Sequence, residues 1–104
     1  MRQRWFGGTG LRVPEILIEG EELEIVEEGR VRLGERDLQA LVAPGLPEPP
    51  ALREAYLRGT PILVRADAPE EVLAALERPE VAAVLVTPEH AELRELDLRR
   101  LKYG

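Results

Sequence analysis

Residues 61–87 read PILVRADAPEEVLAALERPEVAAVLVT, and this stretch decides the fold class. Ile62-Leu63-Val64 is a short apolar run of strand character. Asp67-Ala68-Pro69-Glu70 has the form of a capping box, with Asp67 as N-cap, Glu70 at the third helical position and Pro69 in the first turn. Val72, Leu73 and Leu76 then share one helical face, and Pro79 stops the helix. Val81 to Val86 is apolar throughout, as expected of a strand buried on both faces. Thr87-Pro88 repeats the N-cap and first-turn proline, and the helix it opens should turn Leu93 and Leu96 inward. A strand, a helix and a parallel strand follow one another, and such a crossover is right-handed.

The same spacing extends upstream. Ala40-Leu41-Val42, Ile62-Leu63-Val64 and Val84-Leu85-Val86 are centred on residues 41, 63 and 85, an even step of 22. That step is close to the minimum for a strand, a short loop, a helix and a return. Leu38, Leu41 and Val42 also fit a helical face, so residues 37–42 are open between strand and helix. The step and the Pro-rich exit Ala43–Pro50 favour a strand, followed by a helix from about Pro50 to Arg58 with Gly59 as its cap.

Before it, residues 15–33 alternate with period two. A Glu19–Glu22 loop would pair Ile18 with Leu23 and Ile16 with Ile25. A three-residue Glu27-Glu28-Gly29 loop would pair Ile25 with Val31, Leu23 with Leu33 and Glu24 with Arg32. The expected fold is therefore α/β in one domain of 104 residues: an N-terminal three-stranded antiparallel meander (15–34), then three strand–helix units with parallel central strands (37–104). The apolar face of the meander must cover the parallel part.

Residues 1–14 read as an aromatic, glycine-rich arm. Trp5-Phe6-Gly7-Gly8-Thr9-Gly10 fails as a phosphate loop, because no strand precedes it and no Gly-Lys-Ser/Thr follows. Trp5 and Phe6 are instead expected to dock on a neighbouring surface. Tyr56, on the stripe with Leu52, is expected in the core or at an interface; Tyr103 carries little information.

Composition narrows the chemistry. The chain has no cysteine, serine or asparagine, one histidine and three threonines, so thiolate metal sites and cysteine or serine nucleophiles are excluded. A metal site would rest on His90 and carboxylates, and neither a metal nor a cofactor is expected. Arginine supplies 13 of the 14 basic side chains, a bias shared by heat-adapted proteins and GC-rich genomes. The net charge of −6 argues against nucleic acid and anionic membranes as partners, although Arg2, Arg4 and Trp5 would be the contacts if a nucleic acid bound. With no apolar span and no signal-like h-region, a cytoplasmic location is expected. Seven glutamates crowd residues 15–28, while Arg2, Arg4 and Arg12 precede them and Arg99, Arg100 and Lys102 end the chain. Such segments can pair within a subunit or between subunits.

The parallel order puts the carboxyl ends of three strands on one edge, where open α/β sheets bind ligands. Arg65 and Asp67 follow the second strand of the repeat, and Thr87 and His90 follow the third. These four are the candidate ligand-binding residues, with His90 beside Asp67 as a candidate general base. Each has a structural role to weigh against this: Asp67 and Thr87 as caps, Arg65 as an ion-pair partner of Glu70 or Glu89. No catalytic residue can be assigned. Two functions follow, a non-catalytic module that self-associates (a dimer) or serves as an accessory subunit, and alternatively a small-molecule or anion site on the carboxyl edge. Trp5, Phe6 and Tyr56 are the interface candidates for the first.

Overall fold

The protein is an α/β structure in which a four-stranded parallel sheet lies between a helical layer and an antiparallel layer. The computed structural model describes residues 3–95. In chain order the elements are β1 (Gln3–Trp5), a 3₁₀ turn (Gly7–Thr9), β2 (Arg12–Pro14), β3 (Ile16–Ile18), β4 (Leu23–Glu27), β5 (Arg30–Leu33) and β6 (Arg36–Gln39). Then come β7 (Leu41–Ala43), α1 (Pro49–Leu57), β8 (Ile62–Arg65), α2 (Pro69–Leu76), β9 (Ala83–Val86) and a 3₁₀ segment (Pro88–Glu95). Arg2, Leu96, Arg99, Arg100, Lys102 and Tyr103 lie outside the described residues.

The parallel sheet runs β3-β9-β8-β7. Alternation along its strands builds two apolar clusters. Ile16, Ile62, Val64, Val84 and Val86 meet Leu52, Val72, Leu76 and Leu93 of the helical layer. Leu17, Leu63, Ala83 and Leu85 meet Phe6, Val13, Leu23 and Val31 on the other side. Each large aliphatic side chain contributes about 1.5–3 kcal/mol on leaving water, which is why the central strands carry no charge before Arg65.

The 22-residue step does not equal the strand register. Leu41 pairs with Ile62 and Leu63 with Ala83, offsets of 21 and 20. The odd offset puts Leu41 on the helical face, whereas Leu63 and Leu85 face the antiparallel layer. Residues 37–42 are extended, but they serve two sheets. Asp37–Gln39 belongs to β6, and Leu41 opens β7 after Ala40 donates its N–H to the Gly29 carbonyl (3.0 Å).

The three-stranded meander exists one strand later than its expected position. It comprises β4-β5-β6, not Ile16–Ile18 with β4 and β5. Ile16 pairs with Val84, Leu17 with Leu85 and Ile18 with Val86, so the expected Ile18–Leu23 and Ile16–Ile25 hairpin is not formed. The physical reason is Leu17. Three consecutive apolar residues need both faces covered, and only the central sheet offers that. Within the meander, Leu23–Leu33, Glu24–Arg32 and Ile25–Val31 pair as the alternation predicts. The turn differs: Glu27 pairs with Arg30, leaving a two-residue Glu28-Gly29 turn, and an irregularity between Ile25 and Glu27 absorbs the extra residue.

Residues 3–14 form no free arm. β1 and β2 pair antiparallel, Arg4 opposite Val13 and Trp5 opposite Arg12. Phe6 is 0% exposed within the antiparallel-side cluster, so it is a core residue and not an interface residue. Gly7 (φ +56°) and Gly8 press on the turn after α1, where the Gly8 N–H donates to the Gly59 carbonyl (2.8 Å). The glycine-rich run is thus a packing device between two backbones.

Candidate functional site

The ligand edge expected from the sequence is the carboxyl edge of the parallel sheet. A 280 Å³ cleft there is lined by Pro44, Arg65, Ala66, Asp67, Glu71, Leu85 and Thr87. Three of the four sequence candidates therefore converge. His90 does not line the cleft; its Nδ1 stands 3.9 Å from Glu92 Oε1, and its backbone (φ −115°, ψ 26°) interrupts the final segment. That segment is 3₁₀ and not the expected α-helix.

Of the convergent side chains, Arg65 is committed elsewhere. The Arg65 guanidinium forks onto Glu19, donating from Nη1 to Oε1 and from Nη2 to Oε2 (3.3 Å). Its partner is Glu19 and neither Glu70 nor Glu89. Glu19 is held in place by its own N–H, which donates to the Val86 carbonyl (2.8 Å). Next to it Arg94 donates to Glu22 (2.6 Å), whose Oε1 also accepts the Ile18 N–H (3.0 Å). Two glutamates of the acidic stretch thus neutralise the cations of this edge, and the cleft keeps Asp67 and Glu71 as net negative charge. That charge works against an anion there.

Asp67 is not the N-cap of α2. Ala68 takes that position in extended conformation (φ −140°, ψ 149°), with no side-chain cap bond. Pro69 explains the shift: the residue before a proline is pushed out of the α region, so the helix starts with Pro69 at its first position. The reciprocal acid moves by one as well, and Glu71, not Glu70, accepts the Asp67 N–H (3.3 Å). Thr87 closes the following turn through its carbonyl, which accepts the His90 N–H (2.9 Å).

The opposite, amino edge carries the larger concavity. A 410 Å³ groove is lined by residues of β1 and β2 (Gln3, Arg4, Trp5, Arg12), by Gly7, by Tyr56 and Thr60 around the end of α1, and by Pro79, Glu80 and Val81 before β9. Trp5 is 61% exposed and Tyr56 56% exposed. Tyr56 thus belongs to the surface and not to the core. The Arg12 guanidinium lies over the Trp5 ring, 5.2 Å from its centroid. Glu80 pairs with Arg78 through Oε2 (3.1 Å), while its buried Oε1 has no hydrogen-bond partner among the described residues.

β1 alternates in an unusual sense: Trp5 faces out and Arg4 faces in. Arg4 is 7% exposed. Its Nε donates to Glu15 Oε2 (3.1 Å), its Nη1 to the carbonyls of Arg78 and Val81 (both 3.0 Å), and its Nη2 to the Leu76 carbonyl. These carbonyls belong to the C-terminal end of α2 and the loop beyond it, where a helix leaves acceptors unpaired and favours positive charge. Arg4 is therefore structural and is not offered to a nucleic acid. Sequence reasoning missed this role, because the carbonyls that demand the charge are more than seventy residues away in the chain.

Among the described residues no group of three or more His, Asp or Glu side chains is placed to hold a metal ion. No described helix is long and apolar enough to cross a membrane. The chain matches no family model, no curated protein and no solved structure.

Proposed function

We propose that this protein is a non-catalytic module that acts by association, in the first place with itself, through the Trp5–Tyr56 groove. One observation carries the reading: two exposed aromatic side chains from distant parts of the chain converge on one 410 Å³ groove. Exposed Trp and Tyr are the side chains that most often anchor protein contacts, because each offers large rigid area at small entropic cost. Trp5 is also dispensable to the core, which Phe6 fills. An accessory role toward another protein would use the same groove, and a cytoplasmic location is consistent with a chain lacking cysteine.

The test is association measured by sedimentation equilibrium over a wide concentration range. The native chain should show a mass above that of the monomer, and Trp5→Ala should weaken association about tenfold or more, since a central tryptophan is a typical hot spot. Thermal unfolding of the variant should be nearly unchanged. A monomer at every concentration would exclude self-association.

The second reading, an anion or small-molecule site at the carboxyl edge, is supported by the convergence of Arg65, Asp67 and Thr87 on one cleft. The fork between Arg65 and Glu19 opposes it. Millimolar inorganic phosphate or a nucleotide should leave the melting temperature unchanged; a ligand that binds only the folded state would raise it. Such a rise, lost in Arg65→Gln, would favour the second reading.

A further inference from the structure

We infer that the occupant of the Trp5–Tyr56 groove is the proline-rich segment 44–50 of a second copy of this chain, so that copies join head to tail. The inference rests on the self-association proposed above and names the surface that fills the groove. Residues 44–50 read Pro-Gly-Leu-Pro-Glu-Pro-Pro. The segment connects β7 to α1 and stands on the surface, with Leu46 43% exposed and Glu48 exposed.

Its backbone is already shaped for recognition. Glu48 has φ −66° and ψ 152°, within the polyproline II region, and it is flanked by Pro47 and Pro49. Leu46, before Pro47, is biased to the same region. A polyproline II strand loses little entropy on binding, and the surfaces that take it are aromatic-lined grooves of the kind Trp5 and Tyr56 form. Charge is complementary too. The groove presents Arg12, while Glu80 is already paired with Arg78; the segment carries the exposed Glu48, a carboxylate for the Arg12 guanidinium.

The segment cannot reach the groove of its own copy. It follows a parallel strand and therefore sits at the carboxyl edge, whereas Thr60 and Val81 precede β8 and β9 and place the groove at the amino edge. The nine residues of α1 hold the two apart, a length of about 13 Å at 1.5 Å per residue. A contact between two different surfaces is heterologous, and it builds rings or open chains in place of a self-complementary dimer.

Mixing two variants tests this. Trp5→Ala keeps the segment and loses the groove; Leu46→Asp/Pro47→Gly keeps the groove and loses the segment. Each alone should sediment as a monomer, and an equimolar mixture should give a heterodimer that grows no further. The native chain should exceed dimer mass as concentration rises. Trp5 is the only tryptophan, so a synthetic peptide of residues 43–50 should also change its emission saturably, while the same peptide with alanine for every proline should not. Should the native chain associate and the segment variant associate equally well, the occupant is wrong but self-association stands. A native chain that stays monomeric overturns both readings, even if the peptide binds. If the mixture stays monomeric while both parents are folded, the head-to-tail geometry is excluded.

Discussion

Replacing Arg4 by alanine is expected to destabilise the fold by about 3–5 kcal/mol, the cost of removing one partner from a buried ion pair. In a domain of this size that is a large share of the total, which is typically about 5–15 kcal/mol. Two losses combine. Glu15, 1% exposed, loses the guanidinium with which it is paired out of water. The carbonyls of Leu76, Arg78 and Val81 lose the guanidinium N–H donors beyond α2, of which the Arg78 carbonyl alone is shown to keep a second donor, the Val81 N–H. Chemical denaturation with Arg4→Ala, Arg4→Lys and Glu15→Gln separates the contributions. Lysine restores the charge but not the fork, because an ammonium cannot reach four acceptors in one plane, so it should recover only part of the loss. Glu15→Gln should cost less than Arg4→Ala, since the guanidinium still serves its three carbonyls. If Arg4→Ala unfolds at the same denaturant concentration as the native chain, the clamp is not structural.

The Gly7→Ala exchange is expected to cost about 2–5 kcal/mol, combining a left-handed residue with overpacking. A Cβ at this position would stand 2.6 Å from the Pro61 nitrogen and 2.7 Å from the Gly59 carbonyl oxygen, both backbone atoms that cannot step aside. Gly7 also has φ +56°. Gly10→Ala is the control: φ is +83°, yet nothing lies within 4 Å of the added carbon. It should lose only the conformational part, about 1–2 kcal/mol. Equal losses for the two variants, measured by urea denaturation, would show that the close approach of Gly7 to the Gly59 turn carries no weight. Because that approach holds the β1–β2 hairpin against the end of α1, Gly7→Ala should also disturb the groove, and Gly10→Ala should not.

What was legible in the chain was local. The register of Leu23, Glu24 and Ile25 on Leu33, Arg32 and Val31 follows from alternation and one turn glycine, because the partners are a few residues apart. The helix after the Pro-rich segment runs from Pro49 to Leu57, with Gly59 (φ +76°) beyond its end, close to where proline and glycine chemistry put it. Legibility failed at Ile16–Ile18, whose period-two spacing fits a meander edge as well as a central strand. Competition with a strand some seventy residues downstream decides between them. It failed again at Arg4, which alternation alone would expose.

The candidate sites divide in the same way. Apolar strands, proline-capped helices and the absence of serine and cysteine follow from composition and spacing, since short-range sterics and the chemistry of each side chain act wherever the chain goes. Pairing is a different matter. Arg65 with Glu19, Arg4 with Glu15 and the far carbonyls, and Trp5 beside Tyr56 exist only once β3 has entered the parallel sheet and the hairpin has closed over α2. A buried charge takes whichever partner the packed chain brings within reach, and an aromatic side chain left outside has its neighbours chosen for it by the same packing.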